Sequence, residues 1–342
     1  MSTVDGVADG DLDRHVRVAV LTYQRAADLA EALPPLVEQL CSVVDGRTRA
    51  DLLVVDNDPA ASARDLVAGF AVDAGVRVGY QHEPIPGIAA ARNRALRTST
   101  DADLLVFIDD DERPSPHWLK HLLDTYTRYR PAAVVGPVVS EFAEEPEPWI
   151  TSGRFFIRAR RPTGTPVQVA ATNNLLLDLR QVHRLGLEFD AEFGLSGGSD
   201  TLFTRQLHRQ GGELIWCDEA VVTDVVPGSR STRSWVLRRA LRMGNSWSRT
   251  SLFLADSPLG RLLVRLQLSG SGLVRIAGGL ARVLVGAASR SPSRRARGFR
   301  TAARGAGLLS GAWGYVYSEY KRPKPPARSV RSRRLDWLSA RR

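Results

Sequence analysis

"DLLVFIDDD" (Asp103–Asp111) is an apolar run, rich in bulky and β-branched side chains, that ends in three consecutive carboxylates. A run this short reads as a strand, and one apolar on both faces reads as a strand of a parallel sheet buried from both sides. In an extended segment Asp109 and Asp111 face the same way, so both can reach a hard divalent ion or a sugar hydroxyl. Three ionised carboxylates in contact repel, and without a cation their pKa values rise and the group neutralises. Magnesium and manganese both suit such an all-oxygen set. The alternative is an acidic turn that caps a helix near Pro116.

Three more runs of the same kind precede this one: "VRVAVLTY" (Val16–Tyr23), "LLVVD" (Leu52–Asp56) and "VRVGY" (Val76–Tyr80). The segments between and after them predict helices over Ala26–Cys41, Ala61–Ala71, Ile88–Ser99 and Pro116–Tyr129, the last with Ser115 as N-cap. Pro34 and Pro35 are expected to break or kink the first helix. Alternating strands and helices predict an α/β fold with a doubly wound, mostly parallel sheet, whose ligands bind beyond the carboxyl ends of the strands. The strand ends are therefore the places to look. They carry Thr22 and Tyr23, Asp56 and Asn57, and Asp109, Asp110 and Asp111.

Six blocks occur in order: "VAVLTYQR", "LLVVDND", "GIAAARNRAL", "FIDDDERPSPHWL", "ATNNLLL" and "GLSGGSDTLFTRQLHRQGG". Together they make residues 16–227 resemble the inverting family-two glycosyltransferases of glycosyltransferase A fold, especially the bacterial polysaccharide subgroup that includes the succinoglycan glucosyltransferase. The resemblance implies a mostly parallel central sheet flanked by helices, and transfer of a sugar from a nucleotide-diphosphate carrier, a UDP-sugar, to a saccharide or lipid-linked acceptor. It implies that Thr22 and Tyr23 cradle the nucleotide and that Asp56 accepts a hydrogen bond from the base imide. Arg92 would lie near the diphosphate, the alternative being a surface ion pair. Asp110 would belong to the donor site, Asp109 would contact ribose or share the ion, and Asp111 would ligate a divalent Mg or Mn cofactor. Asn174 would border the donor sugar, although an asparagine at a strand start also serves as a turn residue.

The family's catalytic base lies in a glycine-rich segment that starts a helix, matching Gly197, Gly198, Ser199 and Asp200, with Asp200 as the base. On local sequence alone Asp200 also fits a helix N-terminal acid stabilised by the macrodipole. Ser199 departs from the family's glutamate. Asp224, in "AVVTDVVP", stands where many relatives carry a metal-ligating histidine, so it is a possible metal ligand or simply a strand-end carboxylate. His82, His117, His121, His183 and His208 show no metal-ligand spacing. The Gln-x-x-Arg-Trp signature of processive synthases is absent, which implies one sugar per encounter.

Charge divides the chain. Residues 228–342 hold 25 Lys and Arg against Asp256, Glu319 and Asp336, a net +22, which leaves −12 for residues 1–227 within the total of +10. A polyanionic partner for the basic part follows. Residues 228–320 predict helices, first Thr232–Met243 and then "LVRIAGGLARVLVGAA" (Leu273–Ala288), where Leu273, Ile276, Leu280 and Leu284 form one stripe and Arg275 and Arg282 share another face. Such a region suits an interfacial helix on an anionic membrane, or it packs its stripe against the catalytic domain. No run of eighteen uncharged apolar residues occurs, so a conventional spanning helix is not expected. Residues 1–15 read as a flexible tail without signal-peptide character, and residues 321–342 as a basic flexible tail entered through "KRPKPP". With only two cysteines, Cys41 and Cys217, a reducing compartment fits. These features predict a cytoplasmic protein, peripheral on the inner face of the cell membrane. Two rivals stand beside this reading. One is a nucleic-acid-binding protein using the arginine-rich end, the less favoured partner. The other is a nucleotidyltransferase, which would need a glycine-rich phosphate loop where this chain has "TYQRAADLA".

Overall fold

A computed structural model describes residues 14–72 and 75–317. Most of the expected N-terminal tail and the whole of residues 321–342 lie outside the described residues, while Arg14 and His15 already belong to the first strand.

The alternation expected at the start of the chain is present: β1 (Arg14–Thr22), α1 (Ala26–Val43), β2 (Thr48–Asp56), α2 (Arg64–Ala71), β3 (Val78–His82), α3 (Ile88–Thr98) and β4 (Leu104–Asp109). Then follow β5 (Glu112–Pro114), α4 (Trp118–Tyr129), β6 (Ala133–Val135), β7 (Val138–Phe142), α5 (Pro148–Gly153), β8 (Pro166–Val167), β9 (Asn174–Asp178), α6 (Leu179–Arg184), α7 (Ser199–Arg209), β10 (Leu214–Trp216) and β11 (Val222–Val226). Three helices complete the described chain, α8 (Arg233–Phe253), α9 (Pro258–Ala288) and α10 (Pro292–Ala312).

Eight strands form the main sheet in the order β3-β2-β1-β4-β9-β6-β10-β8, and β5-β11-β7 form a small second sheet. The pairs β1–β2, β1–β4 and β2–β3 are parallel, whereas β9 runs antiparallel to β4 and β6. Burial on both faces explains the continuous apolar runs. Val16, Val18 and Val20 pack with α1 and α4, while Ala19 and Leu21 pack on the other side with Ala91, Ala95, Phe189 and Phe203.

Two local expectations are corrected. The helix α1 runs through Pro34 and Pro35 instead of breaking, because Leu29, Leu33, Leu36 and Leu40 form one buried face that outweighs the missing donors. The helix α4 starts at Trp118, later than expected, with His117 at the N-cap in a left-handed conformation; Ser115 contributes its carbonyl oxygen to the Trp118 N–H rather than a capping side chain.

The C-terminal helices pack through glycine. In α9, Gly272, Gly279 and Gly286 recur every seventh residue and are buried. A Cβ on Gly279 would lie 2.7 Å from the Gly298 carbonyl oxygen, and one on Gly272 would lie 2.9 Å from that of Gly305. The α9 and α10 backbones therefore touch, and only glycine permits the approach. That geometry turns the leucine stripe outward: Leu273 is 56%, Leu280 49% and Leu284 70% exposed. Among the described residues these three leucines do not pack against the catalytic part, while Ile276, the fourth member of the stripe, is partly buried. The helix α9, with 31 residues and a mean hydropathy of 1.4 over its best window, also has the length and composition to cross a membrane. The stretch is not an uncharged run, because Arg275 and Arg282 interrupt it.

Candidate active site

Parallel register brings the ends of β1 and β2 together with the end of β4, since Thr22 pairs with Asp56 and Leu21 with Asp109. The Thr22 hydroxyl donates to Asp110 at 2.9 Å, joining two strand ends in one small bond. Arg25 Nη1 donates to Asp110 Oδ1 at 3.0 Å and to Asp111 Oδ2 at 2.8 Å, and Arg230 Nη1 reaches the same Asp111 oxygen at 3.0 Å. Burial alone would lower the Arg25 pKa, but Asp110 and Asp111 outweigh it and raise it.

The carboxylates behave as their crowding requires. Asp109 is pushed up to about 7 by desolvation and by the charges of Asp111 and Asp110, against the opposing pull of Arg92 and Arg25. Asp110 rises to about 6 by desolvation, offset by Arg25 and the Thr22 hydroxyl. Glu112 rises well above its ordinary value because it is buried beside Asp109. It accepts from the Asn173 amide at 2.6 Å and from the Asp109 N–H at 3.3 Å, which ties the acidic turn to the start of β9.

Across the cleft, Arg92 on α3 is buried, lies over the Phe189 ring, and donates from Nη1 to the Ser199 hydroxyl at 2.7 Å. Its Nε, also buried, has no hydrogen-bond partner among the described residues. Ser199 opens α7, and Asp200 follows in its first turn, with one oxygen accepting the Thr201 N–H at 2.7 Å. Gly197 and Gly198 precede it with φ of 78° and 97°, a left-handed pair that favours glycine and turns the chain into the helix. Arg92 thus connects the Asp109 carboxylate to the segment that carries Asp200.

Several expected site residues engage their polar atoms with partners inside the protein. Asp56 is fully buried; its Oδ1 accepts the Asp58 N–H at 2.9 Å, and its Oδ2 accepts the Ala63 N–H at 2.9 Å and the Tyr80 hydroxyl at 3.0 Å. With both oxygens bonded inside the protein, this carboxylate shapes the loop after β2 rather than facing a base, and burial with the Asp56 contact pushes Tyr80 up to about 12. Asn174 is likewise internal. It accepts from Trp118 Nε1 at 2.9 Å and donates to the Pro137 and Ala220 carbonyls at 3.0 and 2.7 Å, so it fastens β9 to its neighbours. Asp224, on the central strand of the small sheet and paired in register with Glu112, receives Arg158 Nη2 at 3.0 Å and the Ser140 hydroxyl at 3.4 Å, so its ion pair stands beside the acidic turn. Tyr23 is partly exposed at the end of β1.

Among the described residues no three His, Cys, Asp or Glu side chains converge tightly enough to hold an ion by themselves. The donor set still fits a hard cation of the magnesium type, which takes one or two carboxylates and completes its shell with substrate phosphates and water. Asp109 and Asp111 supply those oxygens, and their mutual repulsion is what such an ion would relieve. Sequence reasoning missed Arg25, Arg230 and Glu112 as parts of the site. Arg25 and Glu112 carried a signal, as members of "VAVLTYQR" and "FIDDDERPSPHWL", and Arg230 carried none.

Residues 17–180 match the family model described as glycosyl transferase family 2. The succinoglycan biosynthesis protein ExoM of Rhizobium meliloti (strain 1021) is 36% identical over 235 residues, covering 69% of this chain and 74% of that protein. The chain belongs to glycosyl transferase family 2. It is a glycosyltransferase, with the α/β fold of the glycosyltransferase A type. Among solved structures, GalNAc-T7 with UDP, GalNAc and Mn2+ superposes with a TM-score of 0.51 at 12% identity, covering 73% of this chain and 52% of that one. The S. aureus TarS 1–349 complex with UDP-GlcNAc reaches a TM-score of 0.49 at 14% identity, covering 82% of this chain and 89% of that one.

Proposed function

We propose that this family 2 enzyme is an inverting, non-processive transferase that moves a sugar from a UDP-sugar to a saccharide or lipid-linked acceptor in cell-surface polysaccharide or glycolipid synthesis. The observation that carries the reading is the convergence of the β4 carboxylates with the start of α7 through Arg92, which donates to Ser199 at 2.7 Å and offsets the charge of Asp109. The relative involved in succinoglycan biosynthesis supports the acceptor class. The UDP and Mn2+ of the GalNAc-T7 complex support the donor and ion class, at the level of a shared fold.

In this reading residues 16–227 form the catalytic domain. Asp200 takes the proton of the acceptor hydroxyl as that oxygen bonds to the anomeric carbon and the nucleoside diphosphate leaves from the opposite face. Thr22 and Arg25 hold Asp110, Tyr23 flanks the nucleotide, and Asp56 shapes the base-binding loop from behind. Asp109 and Asp111 would hold the divalent ion, magnesium or manganese, with Asp224 outside its shell; bound there, the ion would neutralise charge on the departing diphosphate. Arg92 orients the α7 start against Asp109.

Residues 228–320 carry the enzyme on the inner, cytoplasmic face of the membrane. The support is the outward apolar stripe of α9, which the glycine contacts with α10 leave without an internal partner, in a region of net positive charge. Arginines at four points of α9, Arg261, Arg265, Arg275 and Arg282, suit a helix lying in the headgroup layer rather than one crossing the bilayer. A donor panel of UDP-, GDP- and ADP-sugars, assayed for nucleoside diphosphate release with magnesium or manganese and a lipid-linked acceptor, tests the reaction. Release from a UDP-sugar that requires both ion and acceptor is expected. Release from none of the donors would refute the reading.

A further inference from the structure

Asp111 Oδ2 accepts two guanidinium groups at once, Arg25 Nη1 at 2.8 Å and Arg230 Nη1 at 3.0 Å. They come from near the start of the catalytic domain and from just beyond its end. Arg25 lies just before α1, and Arg230 closes the short turn Gly228–Arg230 that leads from the β11 end into α8. Both side chains are partly exposed, at 37% and 30%, so each has room to move, whereas Asp111 is the more enclosed partner at 17%.

An oxygen that already accepts two positively charged donors cannot ligate a divalent cation without driving at least one of them away, since like charges within a few ångströms repel strongly inside a cleft. Cation and guanidinium therefore compete for one carboxylate. A guanidinium displaced by a few ångströms remains beside the acidic turn, and the group best suited to receive it there is an anion arriving with the cation. A diphosphate presents oxygens in the geometry that a planar guanidinium binds with two parallel bonds.

We infer that Arg230 is a diphosphate-binding residue: it pairs with Asp111 until a cation takes that carboxylate, and it then transfers to the phosphate oxygens of the nucleoside diphosphate, with Arg25 on the other side. This rests on the proposed use of a nucleotide-diphosphate donor, but not on the identity of its base or sugar. Arg230 thereby has two opposing effects, resisting the ion alone and favouring the ion with diphosphate. A merely structural residue would not show opposite signs.

The test uses the full chain with Arg230→Ala, and Arg233→Ala as a control whose guanidinium pairs with Glu147 instead. Binding of Mn2+ alone is followed by electron paramagnetic resonance, and binding of inorganic pyrophosphate and of UDP in saturating Mn2+ by calorimetry. Arg230→Ala is expected to bind Mn2+ alone several-fold more tightly, and to bind pyrophosphate and UDP more weakly by on the order of tenfold, the loss of a charge-assisted hydrogen bond. Arg233→Ala should match the wild type in all three. Unchanged pyrophosphate affinity in Arg230→Ala would overturn the inference, as would tighter pyrophosphate binding or a wild-type chain that binds no pyrophosphate. A wild type that binds pyrophosphate through Arg230 yet releases no nucleoside diphosphate from any sugar donor would count against the proposed reaction and leave the inference standing.

Discussion

Arg92 and Ser199 lie 107 positions apart in the chain and meet through a 2.7 Å hydrogen bond. The bond joins α3, which packs on β1 and β2, to the first residue of α7, and it places a buried positive charge that acts on Asp109 one residue from Asp200 in the chain. Arg92→Met keeps the apolar stem over Phe189 but removes the charge and the bond. We expect kcat/KM to fall about ten- to a hundredfold, the size of a charge-assisted hydrogen bond, with a melting temperature close to that of the wild type. Ser199→Ala should cost less, because the guanidinium stays. Steady-state kinetics beside thermal melts check both, and wild-type kcat/KM in Arg92→Met would contradict the bridging role.

Asp109 ties stability to pH in a definite direction. Its pKa stands at about 7 against an ordinary 3.8 because burial and the charges of Asp111 and Asp110 penalise the ionised form. The native state thus holds this proton more tightly than the unfolded state, so its contribution is fully present at low pH and is lost as pH rises from 3.8 through about 7. In a chelating buffer at pH 8, Asp109→Asn is expected to be more stable than the wild type by on the order of 1 to 3 kcal/mol, with the gap closing toward pH 4. Denaturant titrations across that range check it. A gap that widens on acidification would show the sign to be wrong.

The helical part rests on close backbone contact, which is easy to disturb. Gly279→Leu puts a side chain where a Cβ already meets the Gly298 oxygen at 2.7 Å and the Ala302 nitrogen at 2.6 Å, neither of which can swing aside. Separation of α9 from α10 at a cost of roughly 1 to 3 kcal/mol is expected. The adjacent Gly278 faces open space, and Gly278→Ala should stabilise by about 0.5 to 1 kcal/mol through helix propensity. Melting temperatures of the two variants moving in the same direction would contradict the packing.

Membrane association should follow the exposed stripe. Replacing Leu273, Leu280 and Leu284 together with serine removes apolar surface that the fold leaves outside, so folding is unaffected while sedimentation with anionic liposomes is lost and transfer to a soluble acceptor persists. Duplex DNA added as competitor should not release the wild-type protein from liposomes. Release by the duplex, or binding that survives the triple substitution, would favour the nucleic-acid reading of the basic region.

The sheet was legible because strands buried on both faces announce themselves as unbroken apolar runs, and because a ligand site lies at their carboxyl ends whatever the ligand. That rule singles out Thr22, Asp109, Asp110 and Asp111, and the structure brings the ends of β1 and β4 that carry them together. The inward turn of Asp56, at the end of β2, and of Asn174, singled out by the resemblance at the start of β9, was not legible, because it depends on partners such as Tyr80 and Trp118 that are remote in sequence. Arg230 was illegible for the same reason. Its contact with Asp111 spans 119 positions and passes through a turn with no motif. The outward direction of the α9 stripe depends on which face the glycines present to α10, and the apolar periodicity alone leaves that open.

The most direct test of the central claim, a single carboxylate collecting the acceptor proton across the cleft from the β4 acids, is the turnover of Asp200→Asn measured beside its affinity for UDP in saturating Mn2+. Turnover should drop by about a hundredfold or more, the usual contribution of a general base, while UDP affinity stays within about twofold of the wild type. Wild-type turnover in Asp200→Asn would contradict the assignment of the base, and so would a loss confined to UDP binding.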